Sequence, residues 1–136
     1  MNLATIAEGH PGDAVAFVSR GKSTTYGDLA RQVAAMRGGL QRAGIAPGDR
    51  VAVACANNRD FVVSFLAILG VGAIAVPVNP ASPTPELQRE LDITGATAVI
   101  AGPSGAAAVD GLDRTALAEL RHVFGTAELD AMLDGA

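Results

Sequence analysis

Residues 65–80 read FLAILGVGAIAVPVNP, an apolar run that closes on two prolines and an asparagine. A membrane anchor, a nucleotide-binding glycine loop and the buried middle of an α/β protein all contain such stretches, and each implies a different fold. The whole apolar run, Phe61 to Val78, just reaches the length of a spanning helix, but Gly70, Gly72 and Pro77 interrupt it. Those breakers divide it into a helix of about three turns and a short strand. The segment GVGAIA at 70–75 formally matches the G-x-G-x-x-A dinucleotide pattern. That pattern needs a strand before it and a helix after it, and here the order is reversed. The glycines are expected to end a helix and let it pack closely on a sheet.

The flanking sequence extends this reading in both directions. RVAVAC at 50–55 has no polar face, as expected of a parallel strand covered on both sides. After it, ANNRD offers Asn57 or Asn58 as a helix N-cap, with Asp60 favourable in the first turn of a buried helix over about 59–70. AIAVPV is the second parallel strand. Thr84 is expected to cap a third helix, with Pro85 at its first position, Leu87 and Leu91 facing inward and Gly95 ending it. TAVIA at 97–101 is the third parallel strand.

Upstream, AVAFVS at 14–19 and STTY at 23–26 form a hairpin across the RGK turn. Thr25, with Asp28 three residues on, starts a helix whose apolar stripe is Leu29, Val33, Met36 and Leu40, with Arg31, Gln32, Arg37 and Gln41 mostly off it. Gly44 supplies its left-handed stop. Downstream of residue 102, GPSGAAAVDG reads as a connector. LDRTALAELRHVFG reads as an amphipathic helix with Leu117, Leu120 and Phe124 on one face, and TAELDAMLDGA as a last short helix. No strand is expected after residue 101. The fold class is therefore α/β: a layered, mostly parallel sheet with flanking helices and an N-terminal β-hairpin, forming part of a larger domain. Residues 1–101 form its α/β segment, and 102–136 a connector with amphipathic helices.

The totals bound the function. The chain has 136 residues, enough to bury roughly two-thirds of its unfolded surface. It is 49% hydrophobic, 18% charged and 4% aromatic, which describes an aliphatic globular core and argues against disorder. Net charge is −4 and Lys22 is the single lysine, so no basic face points to nucleic acid or an anionic membrane. MNLATIAEGHPGD lacks the features of a secretion signal, and the expected location is cytoplasmic with no transmembrane segment. Cys55, the one cysteine, reads as a small buried hydrophobe.

Sites of chemistry are sparse. GPSGAAA follows a strand but lacks the Gly-Lys-Ser/Thr ending of a phosphate loop, and reads as a plain loop. His10 lies in a turn and His122 on the side of a helix, neither with a partner at metal-ligand spacing. The pairs Asp49–Arg50 and the run ELQRELD read as a turn fastener and a solvated face. No nucleophile elbow, zinc pattern or paired-acid site is present, so no residue is assigned a catalytic, cofactor-binding or metal-ligating role. A small-ligand site at the carboxyl ends of the strands, around Ala56–Asn58 and Asn79–Ala81, rests on fold analogy alone.

The order of these elements resembles the start of the adenylate-forming, AMP-binding enzyme superfamily, most of all its acyl-CoA synthetases and fatty-acid–CoA ligases. Its Thr-Tyr-x-Glu/Asp-Leu helix start is matched by Thr25, Tyr26, Asp28 and Leu29. A Gly-x-x-x-Gly-Asp-x-Val approach to a strand is similar to Gly44, Gly48, Asp49 and Val51. A Val-Pro-hydrophobic-Asn-Pro strand after a small-residue helix end resembles Gly72, Ala73, Val76, Pro77, Asn79 and Pro80. The resemblance covers about residues 3–101 and implies ATP, magnesium and coenzyme A for a full-length parent, with none of them held by this segment. Family members are several times longer. Their phosphate-gripping loop with its lysine would follow residue 136, and their adenine- and ribose-binding residues, hinge and C-terminal lysine are not matched here. The expected partner is therefore the remainder of the synthetase chain or another copy of this one, and the chain alone is expected to be inactive.

Overall fold

A computed structural model describes residues 8–19, 21–56 and 59–134. Strands β1 (Val15–Ser19) and β2 (Lys22–Thr25) form the antiparallel hairpin, turning through Gly21 at φ +74°. The pairing skips between Val15 and Phe17. That bulge turns Ala16 and Phe17 both toward the core and leaves Val15 and Val18 outside.

Helix α1 (Tyr26–Arg42) starts on a reciprocal cap: the Asp28 N–H donates to Thr25 Oγ1 at 3.1 Å, and the Thr25 N–H donates to Asp28 Oδ2 at 3.4 Å. Two otherwise orphaned donors are satisfied at once, so the helix cannot start elsewhere at similar cost. Leu29, Met36 and Leu40 are buried and Val33 is partly so, as the stripe requires. Gln32 departs from its expected outer position, because its Oε1 is shut off from water. Gly44, at φ +98°, stops the helix.

The central run divides as the sequence indicates. Strand β3 (Arg50–Ala54), helix α2 (Arg59–Gly70) and strand β4 (Ile74–Pro77) follow one another, with Gly72 at φ +82° in the turn. Among the described residues no helix is long and apolar enough to cross a membrane. Asn57 and Asn58, expected to cap α2, lie outside the described residues.

Helix α3 (Thr84–Thr94) corrects one expectation. Pro83 occupies the N-cap without a side-chain bond, so Pro85 falls at the second helical position, where its missing N–H is equally harmless. The Thr84 hydroxyl points away from its own helix and donates to Ala108 O at 3.0 Å. Gly95 ends α3 in the left-handed region, and strand β5 (Ala98–Ala101) follows.

The larger correction lies beyond residue 101. A 3₁₀ turn at Pro103–Gly105, the short helix α4 (Ala106–Asp110) and a second 3₁₀ turn at Arg114–Ala116 lead into a further strand, β6 (His122–Phe124). Helix α5 (Thr126–Leu133) comes last, where the sequence puts a short helix. The helical spacing of Leu117, Leu120 and Phe124 is coincidental. Leu117 and Leu120 enter one hydrophobic layer and Phe124 the other, which no single helical face allows. His122 accordingly sits on a strand. The cause is the open edge of β5, whose backbone groups need partners; β6 supplies them in parallel register, Ala98 opposite His122 and Ile100 opposite Phe124.

The sheet runs β4-β3-β5-β6, all parallel. Alternate residues face opposite layers. Val51, Val53, Ile100 and Phe124 pack under α1, α2 and α5, while Ala52, Ala54 and Val99 pack under α3 and α4. Helix α5 crosses α1 at Gly39, where an added Cβ would lie 2.6 Å from Met132 Cγ. The chain steps from β3 out to β4, then returns past β3 to β5, so its direction reverses between β3 and β5.

Candidate functional site

Open parallel sheets bind ligands beyond the carboxyl ends of their strands, at the point where the strand order reverses. In this chain that point lies between Cys55–Ala56, after β3, and Gly102–Gly105, after β5. The Gly102 N–H donates to Ala54 O at 3.2 Å and the Gly105 N–H to Gly102 O at 3.1 Å. A Cβ on Gly105 would overlap Ala54 O, and one on Gly102 would lie 3.4 Å from Cys55 Sγ. The turn therefore rests directly on the end of β3. Both glycine N–H groups of GPSGAAA are thus spent on backbone carbonyls. Cys55 is 4% exposed, with Sγ 4.0 Å from Ile100 O. Burial pushes its thiol up to about 11, so at neutral pH it is protonated and a poor nucleophile.

The residues that carry the family resemblance also have mechanical roles. Thr25 and Asp28 cap α1, and Leu29 is buried. The Gly48 N–H donates to Gly72 O at 3.0 Å, which ties together two turns at the amino end of the sheet, both at positive φ. Asp49 accepts from the Ala46 N–H at 2.8 Å and pairs with Arg121 at 3.4 Å. Asn79 Oδ1 accepts from the Ala81 N–H at 2.9 Å, turning the chain from β4 toward α3. Tyr26 stacks on His10 with ring centroids 4.2 Å apart.

Two clefts meet at that stacked pair. One of about 280 Å³ is lined by Glu8, His10, Tyr26 and Arg37 among others. An apolar one of about 360 Å³ lies between the hairpin and α2, lined by Phe17, Leu29, Phe61 and Phe65. The stacked pair was not legible in the sequence, because nothing in the spacing of His10 and Tyr26 announces it. His122 stacks instead on Phe124, at 5.6 Å, so the structure does not bring the two histidines together. Among the described residues no group of three His, Cys, Asp or Glu side chains could hold a metal ion.

Residues 3–134 match the AMP-binding enzyme family. Naringenin synthase of Pestalotiopsis fici (strain W106-1 / CGMCC3.15140) is 43% identical over 88 residues, 65% of this chain and 3% of that protein. Feruloyl-CoA synthase of Amycolatopsis sp is 38% identical over 92 residues, 68% of this chain and 19% of that protein. The solved structure of a Mycobacterium tuberculosis fatty acyl CoA synthetase superposes with a TM-score of 0.77 at 29% identity, covering 85% of this chain and 23% of that one. The chain thus spans a fifth or less of the length of these curated relatives. The match extends through β6 and α5, past the motifs at 25–29, 44–51 and 72–80, and this chain belongs to the AMP-binding enzyme family.

Proposed function

We propose that the chain is the N-terminal portion of an AMP-forming acid–CoA ligase. The parent activates a carboxylic acid with ATP and passes the acyl group to coenzyme A. The observation that carries this reading is the family match over residues 3–134 in a chain that spans only 19% of a relative named for acyl-CoA synthesis. The turn at the strand ends offers the parent's cofactors little phosphate grip. Neutralising phosphate charge needs an arginine or lysine, a metal or free oriented amides. Lys22 sits exposed on the hairpin, and the Gly102 and Gly105 amides are already bonded. ATP, magnesium and coenzyme A are therefore assigned to the rest of the parent, and this segment is inactive alone. Its partner is that remainder, and its compartment the cytoplasm.

The acid itself is read as fatty, supported by the aliphatic α2, by the Asn79–Pro80 ending and by the likeness to a fatty acyl CoA synthetase. The 38% identity to a feruloyl-CoA synthase favours a second reading, an aromatic acid. Presenting the complete parent with ATP, coenzyme A and either a long-chain fatty acid or a hydroxycinnamic acid separates the two. Acid-dependent AMP release with one class supports that reading, and none with any acid overturns the ligase assignment. A stand-alone interaction module with this fold is the remaining alternative. It is favoured if a stop codon follows Ala136 directly, and disfavoured if a Thr-Ser-Gly-rich loop with a basic residue follows.

A further inference from the structure

We infer that Pro77 closes the β4 edge of the sheet against strand addition, leaving the β6 edge as the seam where the rest of the synthetase adds its next strand. The choice of occupant rests on the functional reading above; the closure of β4 does not. Among the described residues the sheet has two edges, because β4 pairs with β3 alone and β6 with β5 alone. Along β4 the Ile74 N–H donates to Asp49 O at 2.7 Å and the Val78 N–H to Val53 O at 3.0 Å. Backbone groups alternate sides along a strand, so Ile74, Val76 and Val78 face β3 while Ala75 and Pro77 face outward. Pro77 has no N–H, and the outward row is left with one strand donor, Ala75. A neighbouring strand would meet a proline ring where it needs a hydrogen bond. Pro77 is exposed and Ile74 is 48% exposed, so this edge is open to solvent and would otherwise be a template for pairing.

The β6 edge is built differently. β6 contains no proline, and because the His122 N–H donates inward to Thr97 O at 3.2 Å, the same alternation turns the Val123 N–H to the open side. His122 and Val123 are half-buried, neither covered nor fully exposed. The related synthetase structure is covered by this chain over only 23% of its length, and the missing length is the source of the strand.

Amide hydrogen exchange on the 136-residue chain tests the closure. Ala75 is expected to show protection below about tenfold, as an amide open to water does. Greater protection of Ala75 in the wild-type chain overturns the inference, whether or not any variant folds. Pro77→Ala restores the donor; the folded variant is expected to self-associate at least about tenfold more tightly than wild type in sedimentation velocity. A folded variant that associates no more than wild type also overturns it. In the complete synthetase the Val123 amide is expected to gain protection relative to the isolated chain while Ala75 does not. Protection appearing at Ala75 in that comparison contradicts the seam. Protection of Val123 that rises with concentration of the isolated chain puts a second copy there and overturns the choice of occupant. None of these readouts measures acid activation, so the ligase assignment and the edge assignment fail separately.

Discussion

Gly105 is the residue on which the packing of the turn after β5 against the end of β3 depends most. Any side chain there strikes Ala54 O, a backbone atom inside the sheet that has no freedom to retreat. Gly105→Ala is therefore expected to cost about 3 kcal/mol, the upper end for an overpacked site, read as a shift in urea midpoint. Asp28 adds a pH dependence. The Thr25 hydroxyl, followed by the Thr25 N–H and Arg31, holds its carboxyl below the usual carboxylate value. A depressed folded-state pKa contributes stability above the unfolded value of about 3.9, and that contribution is lost as pH falls through the folded value. The stability difference between wild type and Asp28→Asn should therefore shrink as pH is lowered from about 6 to below about 3, measured by denaturation at each pH. Asp113, held down chiefly by the Thr115 hydroxyl, should respond in the same direction. For Cys55 the expectation is slow reaction with an aromatic disulfide reagent until the chain unfolds; rapid reaction in the folded state would contradict its burial.

At the scale of elements, the sequence was legible where its signals agree and misleading where a tertiary demand overrode them. The cap at Thr25 and Asp28, the stop at Gly95 and the division of residues 61–78 each rest on a local cause, and each stands in the structure. β6 has no comparable local signature. Three residues are too few to show a period of two, and Leu117, Leu120 and Phe124 imitate a helical stripe. Only the unsatisfied edge of β5 distinguishes the two readings, and no local pattern contains it. Thr84 failed as a cap for a related reason, since its hydroxyl found a partner on α4. The corrected assignment makes a prediction: Phe124→Ala, 6% exposed in the layer beneath α1, should cost about 3–5 kcal/mol in thermal or urea unfolding. A surface helix at 112–125 would lose far less.

At the scale of the molecule, a three-layer α/β/α unit packs its own turn on the end of β3, and its recognisable motifs are spent on caps, turns and packing. Family membership was readable because those motifs are mechanical and sit at fixed places in the chain. The acid was not readable: Tyr26 and Leu29 line the clefts beside the hairpin, but nothing in their spacing names an acid. The account rests on this segment being framework for a ligase whose working groups lie elsewhere in the parent. ATP–pyrophosphate exchange on the purified 136-residue chain, with magnesium and a panel of fatty and aromatic acids, tests that most directly. No exchange above the no-acid background is expected, and acid-dependent exchange by this chain alone would contradict a framework role.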